Sequence, residues 1–80
     1  MWIDRAFTIS GAGTVVTGTL TDGSIHLGDR LTLWPGEHQV RVRGLQSHEK
    51  ELETVAGTSR CAINLAGLER QDVQRGHMLG

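Results

Sequence analysis

Gly11, Gly13 and Gly18 are the first residues of this chain whose type and spacing could do chemistry, because clustered glycines can fold a backbone around a phosphate. Their spacing is G-x-G-x4-G rather than G-x-G-x-x-G, and no helical pattern follows them. A phosphate loop of the other common kind needs Gly-Lys-Ser/Thr, and the only lysine is Lys50. The phosphate-cradle reading therefore fails on spacing. His26, His38, His48 and His77 have no short-spaced partners of metal-ligand geometry, so they read as surface or rim residues and no metal is expected. Cys61 sits among apolar strand neighbours and reads as an inert buried thiol. Ser10, Ser24, Ser47 and Ser59 show no nucleophile context, so catalysis by this chain alone is not expected. Charge remains. Asp4, Arg5 and Arg60 are the remaining charged candidates, and on residue types alone they read first as an ordinary strand-end ion pair plus a solvated arginine.

Composition limits what can hold such residues. Eighty residues make one domain, with hydrophobic residues at 38% and aromatics at 4%, so the core must be built from Val, Leu and Ile. Eleven glycines and one proline suit short strands joined by tight turns. A free-standing nucleic-acid binder is usually strongly basic, whereas the net charge here is −1. Contact with nucleic acid would have to be local, or shared with other domains. A single cysteine cannot form an internal disulfide, which points to a reducing, cytoplasmic compartment. With no basic-then-apolar leader and no long apolar run, neither a signal peptide nor a membrane contact is expected. The chain opens on a strand and stops at Gly80 without a tail, as a domain cut from something longer would.

The pattern along the chain is of six or seven strands and almost no helix. Ile3 to Ile9 and Thr14 to Leu20 flank a glycine turn, and the β-branched run Thr14-Val15-Val16-Thr17 prefers a pleated strand. Thr21 to Ser24 is a turn, Ile25 to Asp29 a short excursion, Arg30 to Trp34 a strand, and Pro35-Gly36-Glu37 the next turn. From His38, Val40, Val42 and Leu45 alternate with polar residues as one buried face. Gln46 to Glu53 reads as a solvated rim of strand ends and loop. Ala56 to Ser59 is a turn, and Arg60 to Leu65 a strand with Cys61, Ile63 and Leu65 on one face. Glu69 to Gln74 can form one helical turn, Gly76 ends it, and His77 to Leu79 is a closing strand. The expected fold is all-β: a small closed antiparallel barrel of about six strands, since closure removes exposed edges. Simple alternation sets Arg5 with Ile3, Phe7 and Ile9, and Asp4 with Ala6 and Thr8 on the other face. Asp4, Arg5 and Arg60 can then meet only at a strand end, or where a bulge re-aims one side chain.

The block Ile3-Asp4-Arg5-Ala6-Phe7-Thr8-Ile9-Ser10-Gly11-Ala12-Gly13-Thr14-Val15-Val16-Thr17-Gly18-Thr19 closely resembles the opening of the second domain of elongation-factor-Tu-like translational GTPases. Gly23 to Leu31, Ala56-Gly57 with its apolar strand, and Gln74-Arg75-Gly76-His77-Met78-Leu79 match later elements of the same domain, so nearly the whole chain is covered. The Asp-Arg pair and the Gly-Ala-Gly turn are most similar to the selenocysteine-specific branch of that family. Rival expectations are the equivalent barrel of another translational GTPase, of the elongation factor Tu or initiation factor type, a barrel appended to an enzyme such as a flavin-dependent reductase, and a structural spacer.

The resemblance implies a binding module rather than an enzyme: a monomeric barrel against which the aminoacyl end of tRNA lies, close to the GTPase domain of the same protein. GTP and Mg would belong to that other domain, with no cofactor held here, and the whole factor would act on the ribosome. The matching aminoacyl positions are Asp4, Arg5, Phe7, Thr17 and Arg60. Elongation factor Tu carries an acid and an amide where this chain has Arg5 and Arg60. Two guanidinium groups would suit selenocysteinyl-tRNA, because a selenol is more acidic than a thiol and arrives as an anion. Phe7 also fits a core aromatic, and Thr17 an ordinary strand former. Arg41, Arg43 and Arg75 could form a weak patch for RNA backbone, opposed by Glu49, Glu51 and Glu53.

Overall fold

The computed structural model describes residues 1–10, 13–48 and 50–80. Its strands are β1 (Trp2–Ile9), β2 (Gly13–Leu20), β3 (Ser24–His26), β4 (Arg30–Trp34), β5 (His38–Ser47), β6 (Lys50–Leu52), β7 (Thr54–Ala56), β8 (Ser59–Ala66) and β9 (Met78–Leu79). Hydrogen bonding runs β4-β9-β1-β2-β8-β5, and β4 returns to β5, which closes a six-stranded antiparallel barrel. β6 extends β5 as a hairpin, and β3 pairs with β7 as a separate ribbon. The rim expected between Gln46 and Glu53 is thus a paired hairpin, with Leu45↔Leu52 and Ser47↔Lys50 in register. The helical turn is a short stretch of 3-10 helix, Arg70–Asp72, closed by a reciprocal cap between Glu69 and Asp72.

Alternation explains the core. Val16 and Leu20 of β2, Val40, Val42 and Leu45 of β5, and Cys61, Ile63 and Leu65 of β8 face inward with Ile3, Leu33 and Leu79. The two tryptophans and the phenylalanine lie outside, with Trp2 58%, Trp34 44% and Phe7 41% exposed, so the interior is aliphatic. Of the glycine turn, Gly13 has φ of 100°, a conformation glycine alone adopts freely, while Gly11 and Ala12 lie outside the described residues. Thr14 is buried, and its hydroxyl donates to the Leu68 carbonyl at 2.8 Å, tying β2 to the loop after β8. No helix among the described residues is long and apolar enough to cross a membrane.

The expected alternation of β1 is overturned at one point. Ile3 pairs with Gly18 but Arg5 pairs with Thr17, so Asp4 is an extra residue and the strand carries a bulge. Beyond it the phase reverses. Ala6 packs on the core, whereas Arg5, Phe7 and Ile9 are exposed, not on one face with buried Ile3.

Candidate functional site

Register places the outward side chains in rows that run across the sheet. Trp2, Thr19 and Arg60 form one row over β1, β2 and β8. Arg5, Thr17, Ala62 and Gln46 form the next, and Phe7, Val15 and Asn64 a third that ends at Gly44. Between the first two rows lies an open cavity of about 350 Å³, lined by Arg5, Thr17, Gln46, Ser47, His48, Arg60, Cys61 and Ala62. Two arginines far apart in sequence thus share a cavity because strands β1, β2 and β8 are neighbours.

The bulge completes this arrangement. Asp4 is turned to the outer surface and forms an ion pair with Arg60 Nη1, whose other neighbour is the Thr19 hydroxyl at 3.5 Å. Arg60 holds the Asp4 carboxyl below its ordinary pKa by hydrogen bond and charge; partial burial opposes this, and Arg75 and Arg5 reinforce it. The side chains are 57% and 43% exposed, so solvent screens the pair. It orients the guanidinium more than it stabilises the barrel. With two guanidinium groups and one carboxylate, the cavity keeps a positive balance.

Thr17 adds a second sign of a ligand site. Its hydroxyl oxygen is buried and has no hydrogen-bond partner among the described residues. Such a group is costly to leave unpaired, by about 1–3 kcal/mol. Ser47, buried at the end of β5, donates its hydroxyl to the Arg60 carbonyl at 2.8 Å and fixes that strand end to β8 beside the cavity.

Phe7 is placed elsewhere. It lines a larger groove of about 670 Å³ with Ile9, Val15, Leu27, Leu52 and Arg43, which meets the arginine cavity at Gln46 and Ala62. Phe7 is therefore neither a core aromatic nor a wall of the arginine cavity. Arg41, Arg43 and Arg75 have different neighbours. Arg43 reaches Asn64 and lines the groove, Arg75 acts on Asp4 from the loop before β9, and Arg41 lines neither cavity. Glu51 and Glu53 stand on the groove wall, and Glu49 lies outside the described residues. Gln46, Ser47 and His48 were not legible as site residues. They fall in a polar stretch with the composition of any solvated rim, and only pairing of β5 with β8 brings them to Arg60.

Residues 13–80 match the family model described as elongation factor Tu domain 2. The chain is 44% identical over 77 residues to the selenocysteine-specific elongation factor of Desulfomicrobium baculatum, covering 96% of this chain and 12% of that protein. It is 44% identical over 78 residues to the selenocysteine-specific elongation factor of Escherichia coli K12, covering 96% of this chain and 13% of that protein. Among solved structures, translation elongation factor SelB from Methanococcus maripaludis in its apo form superposes with a TM-score of 0.92 at 34% identity, over 99% of this chain and 17% of that one. The chain thus spans under a fifth of the relatives it matches.

Proposed function

Because the chain belongs to the elongation factor Tu domain 2 family, with selenocysteine-specific elongation factors among its relatives, we propose that it forms part of the pocket for the selenocysteinyl end of tRNA. The observation that carries this reading is the convergence of Arg5, Thr17 and Arg60 on one cavity, with Asp4 bulged outward to steady Arg60. A selenolate is an anion, and the cavity offers it two permanent cations, with Thr17 on its wall. The hydroxyl of serine, being neutral, gains little from either cation. At an effective dielectric near 20, one charge pair at about 4 Å is worth roughly 4 kcal/mol before desolvation, so even a quarter of that discriminates several-fold.

The neighbouring groove suits the nucleotide that carries the amino acid. Its floor holds an aromatic and several aliphatic side chains against which a base can lie, and Arg43 stands at its wall. Arg75, near Asp4, is available to RNA backbone. In this reading GTP is bound and hydrolysed by another domain of a longer factor, working with the ribosome, and the barrel presents the aminoacyl end to that domain. Relatives of the elongation factor 1-alpha type are 38% identical over 80 residues, so the barrel as such serves more than one branch. The arginine pair is what favours the selenocysteine branch.

The test is Arg60→Asn in the complete factor, comparing one tRNA body charged with selenocysteine or with serine. Phosphate contacts cancel in that comparison. Selenocysteinyl-tRNA should weaken by about 1–2 kcal/mol, a factor of roughly 5–30, with seryl-tRNA nearly unchanged. Equal weakening of both would make Arg60 a scaffold or backbone contact and defeat the reading.

A further inference from the structure

Arg30 and Arg41 stand directly opposite each other on β4 and β5. Buried Val40 and Val42 flank Arg41, and Leu31, next to Arg30, packs on the core, so both arginines lie on the outer, exposed face. Their register is the close one. The Val42 N–H donates to the Asp29 carbonyl at 2.9 Å, and Thr32 exchanges two bonds of 2.9 Å with Gly80 on the far side of β4. Arg30 and Arg41 therefore oppose each other without exchanging hydrogen bonds. Cross-strand side chains approach most closely at such a pair, with Cβ atoms about 4.5–5.5 Å apart. Like charges placed there are destabilising. Neither arginine forms an ion pair among the described residues. Asp29, next to Arg30 in sequence, accepts the His26 N–H at 2.9 Å. Glu69, the first carboxylate after β8, closes the cap of the 3-10 turn. Thr32, Gln39 and Ala66, which stand around the pair, are all neutral. The barrel thus gains nothing from holding these two guanidinium groups together, whereas a bound anion would offset their repulsion.

Strand β8 relates the pair to the site already described. Its outer positions run from Arg60 and Ala62 at the arginine cavity, through Asn64 at the groove, to Ala66 opposite Arg41. At about 3.3 Å per residue, Ala66 lies about 7 Å beyond Asn64 and about 13 Å beyond Ala62. The pair therefore adjoins the groove on the side away from the arginine cavity. A terminal nucleotide in the groove, with its aminoacyl group in that cavity, directs the rest of its strand towards Arg30 and Arg41. Guanidinium groups stay charged and bind phosphate oxygens through paired N–H donors.

We infer that Arg30 and Arg41 form a clamp for one backbone phosphate of the unpaired RNA strand whose terminal nucleotide lies in the groove beside Phe7. The inference rests on the reading of that groove given above. It adds a third station, so that aminoacyl group, nucleoside and phosphate are held in order along β8.

The experiment uses the complete factor and seryl-tRNA, so that no selenolate takes part. The backbone linkages nearest the 3′ end are made neutral one at a time, as methylphosphonates. At one of them the parent protein should lose affinity about three- to tenfold, the worth of one partly screened charge-assisted contact. The double variant Arg30→Gln/Arg41→Gln should bind unmodified tRNA more weakly by a similar factor and be indifferent to that same methylphosphonate. Its affinity should also fall less steeply with salt, by about 0.7 in the logarithmic slope for one single-strand phosphate. Its thermal midpoint should not lie below the parent's, because the substitution removes two opposed like charges. Losses that multiply at every linkage, or a parent indifferent to every methylphosphonate, would overturn the inference. So would a lower midpoint in the variant, which would make the pair structural, or unchanged tRNA affinity with weakened ribosome association, which would give it another partner. The ratio of selenocysteinyl-tRNA to seryl-tRNA in Arg60→Asn reads the pocket separately. If that ratio falls while no linkage couples to Arg30 and Arg41, the pocket stands and the clamp does not. If the coupling persists while Arg60→Asn weakens both ligands equally, the clamp stands and the selenolate pocket does not.

Discussion

Gly18→Ala should destabilise the barrel sharply, although alanine is the smaller change and the better strand residue. Gly18 stands opposite Ile3, next to the bulge. A Cβ at that position would overlap the Trp2 carbonyl oxygen and lie 3.2 Å from its carbon. The Met1 methyl at 3.3 Å can swing away, but a backbone carbonyl in a ladder cannot. Overpacking of this kind costs about 1–3 kcal/mol. A strained ladder hydrogen bond adds about 0.5–1.5 kcal/mol. Against this, removing a glycine from the unfolded chain returns about 0.4–1 kcal/mol. The clash wins, and the net loss is about 0.5–4 kcal/mol. A domain of this size has roughly 4–12 kcal/mol in total. Urea unfolding followed by circular dichroism should show a lower midpoint at unchanged slope. The thermal midpoint should fall by about 4–8 °C per kcal/mol. Gly44→Ala is the control, since a Cβ there meets only Asn64 Cβ at an ordinary 3.5 Å. It should stay within about 0.5 kcal/mol of the parent. Equal stability of the two variants would refute the claim that β1 and β2 approach too closely for a side chain.

Two further outcomes follow from the charged and sulfur groups. Carbon-detected titration should place the Asp4 midpoint below that of an ordinary carboxylate, and Arg60→Asn should return it towards that value. The depressed folded pKa means that Asp4 favours the fold above its unfolded value and loses that contribution as pH falls through the folded one; an Asp4 midpoint indifferent to Arg60→Asn would deny the pair. Cys61 is buried with a thiol pushed up by desolvation, so a disulfide reagent at mildly alkaline pH should label it slowly until denaturant is added. Rapid labelling of the native barrel would show that the strand around it opens easily.

The barrel was legible because its signals are local and repeated. Glycine turns and β-branched runs mark the strands, and the alternation of Val40, Val42 and Leu45 and of Cys61, Ile63 and Leu65 gives their inward faces. The site was legible only in part. Resemblance pointed to Asp4, Arg5, Phe7, Thr17 and Arg60, but a period of two cannot reveal a residue that opposes nothing, so the bulge at Asp4 had to come from the register. Phe7 and Ile9 misled the reading of β1, because apolar residues that line an open groove have the same pattern as core ones. His48 gave no signal at all. Its place depends on a hairpin whose partner, β8, lies beyond two intervening strands in sequence.

The most direct measurement is the position of selenium. Crystals of the complete factor with selenocysteinyl-adenosine would locate it by anomalous scattering, with no assumption about side-chain rotamers. The selenium should lie within about 4 Å of guanidinium nitrogens of both Arg5 and Arg60, on the Thr17 side of Ala62. A peak in the apolar groove beside Phe7 and Leu52, with both arginines turned to solvent, would contradict the charge-based pocket.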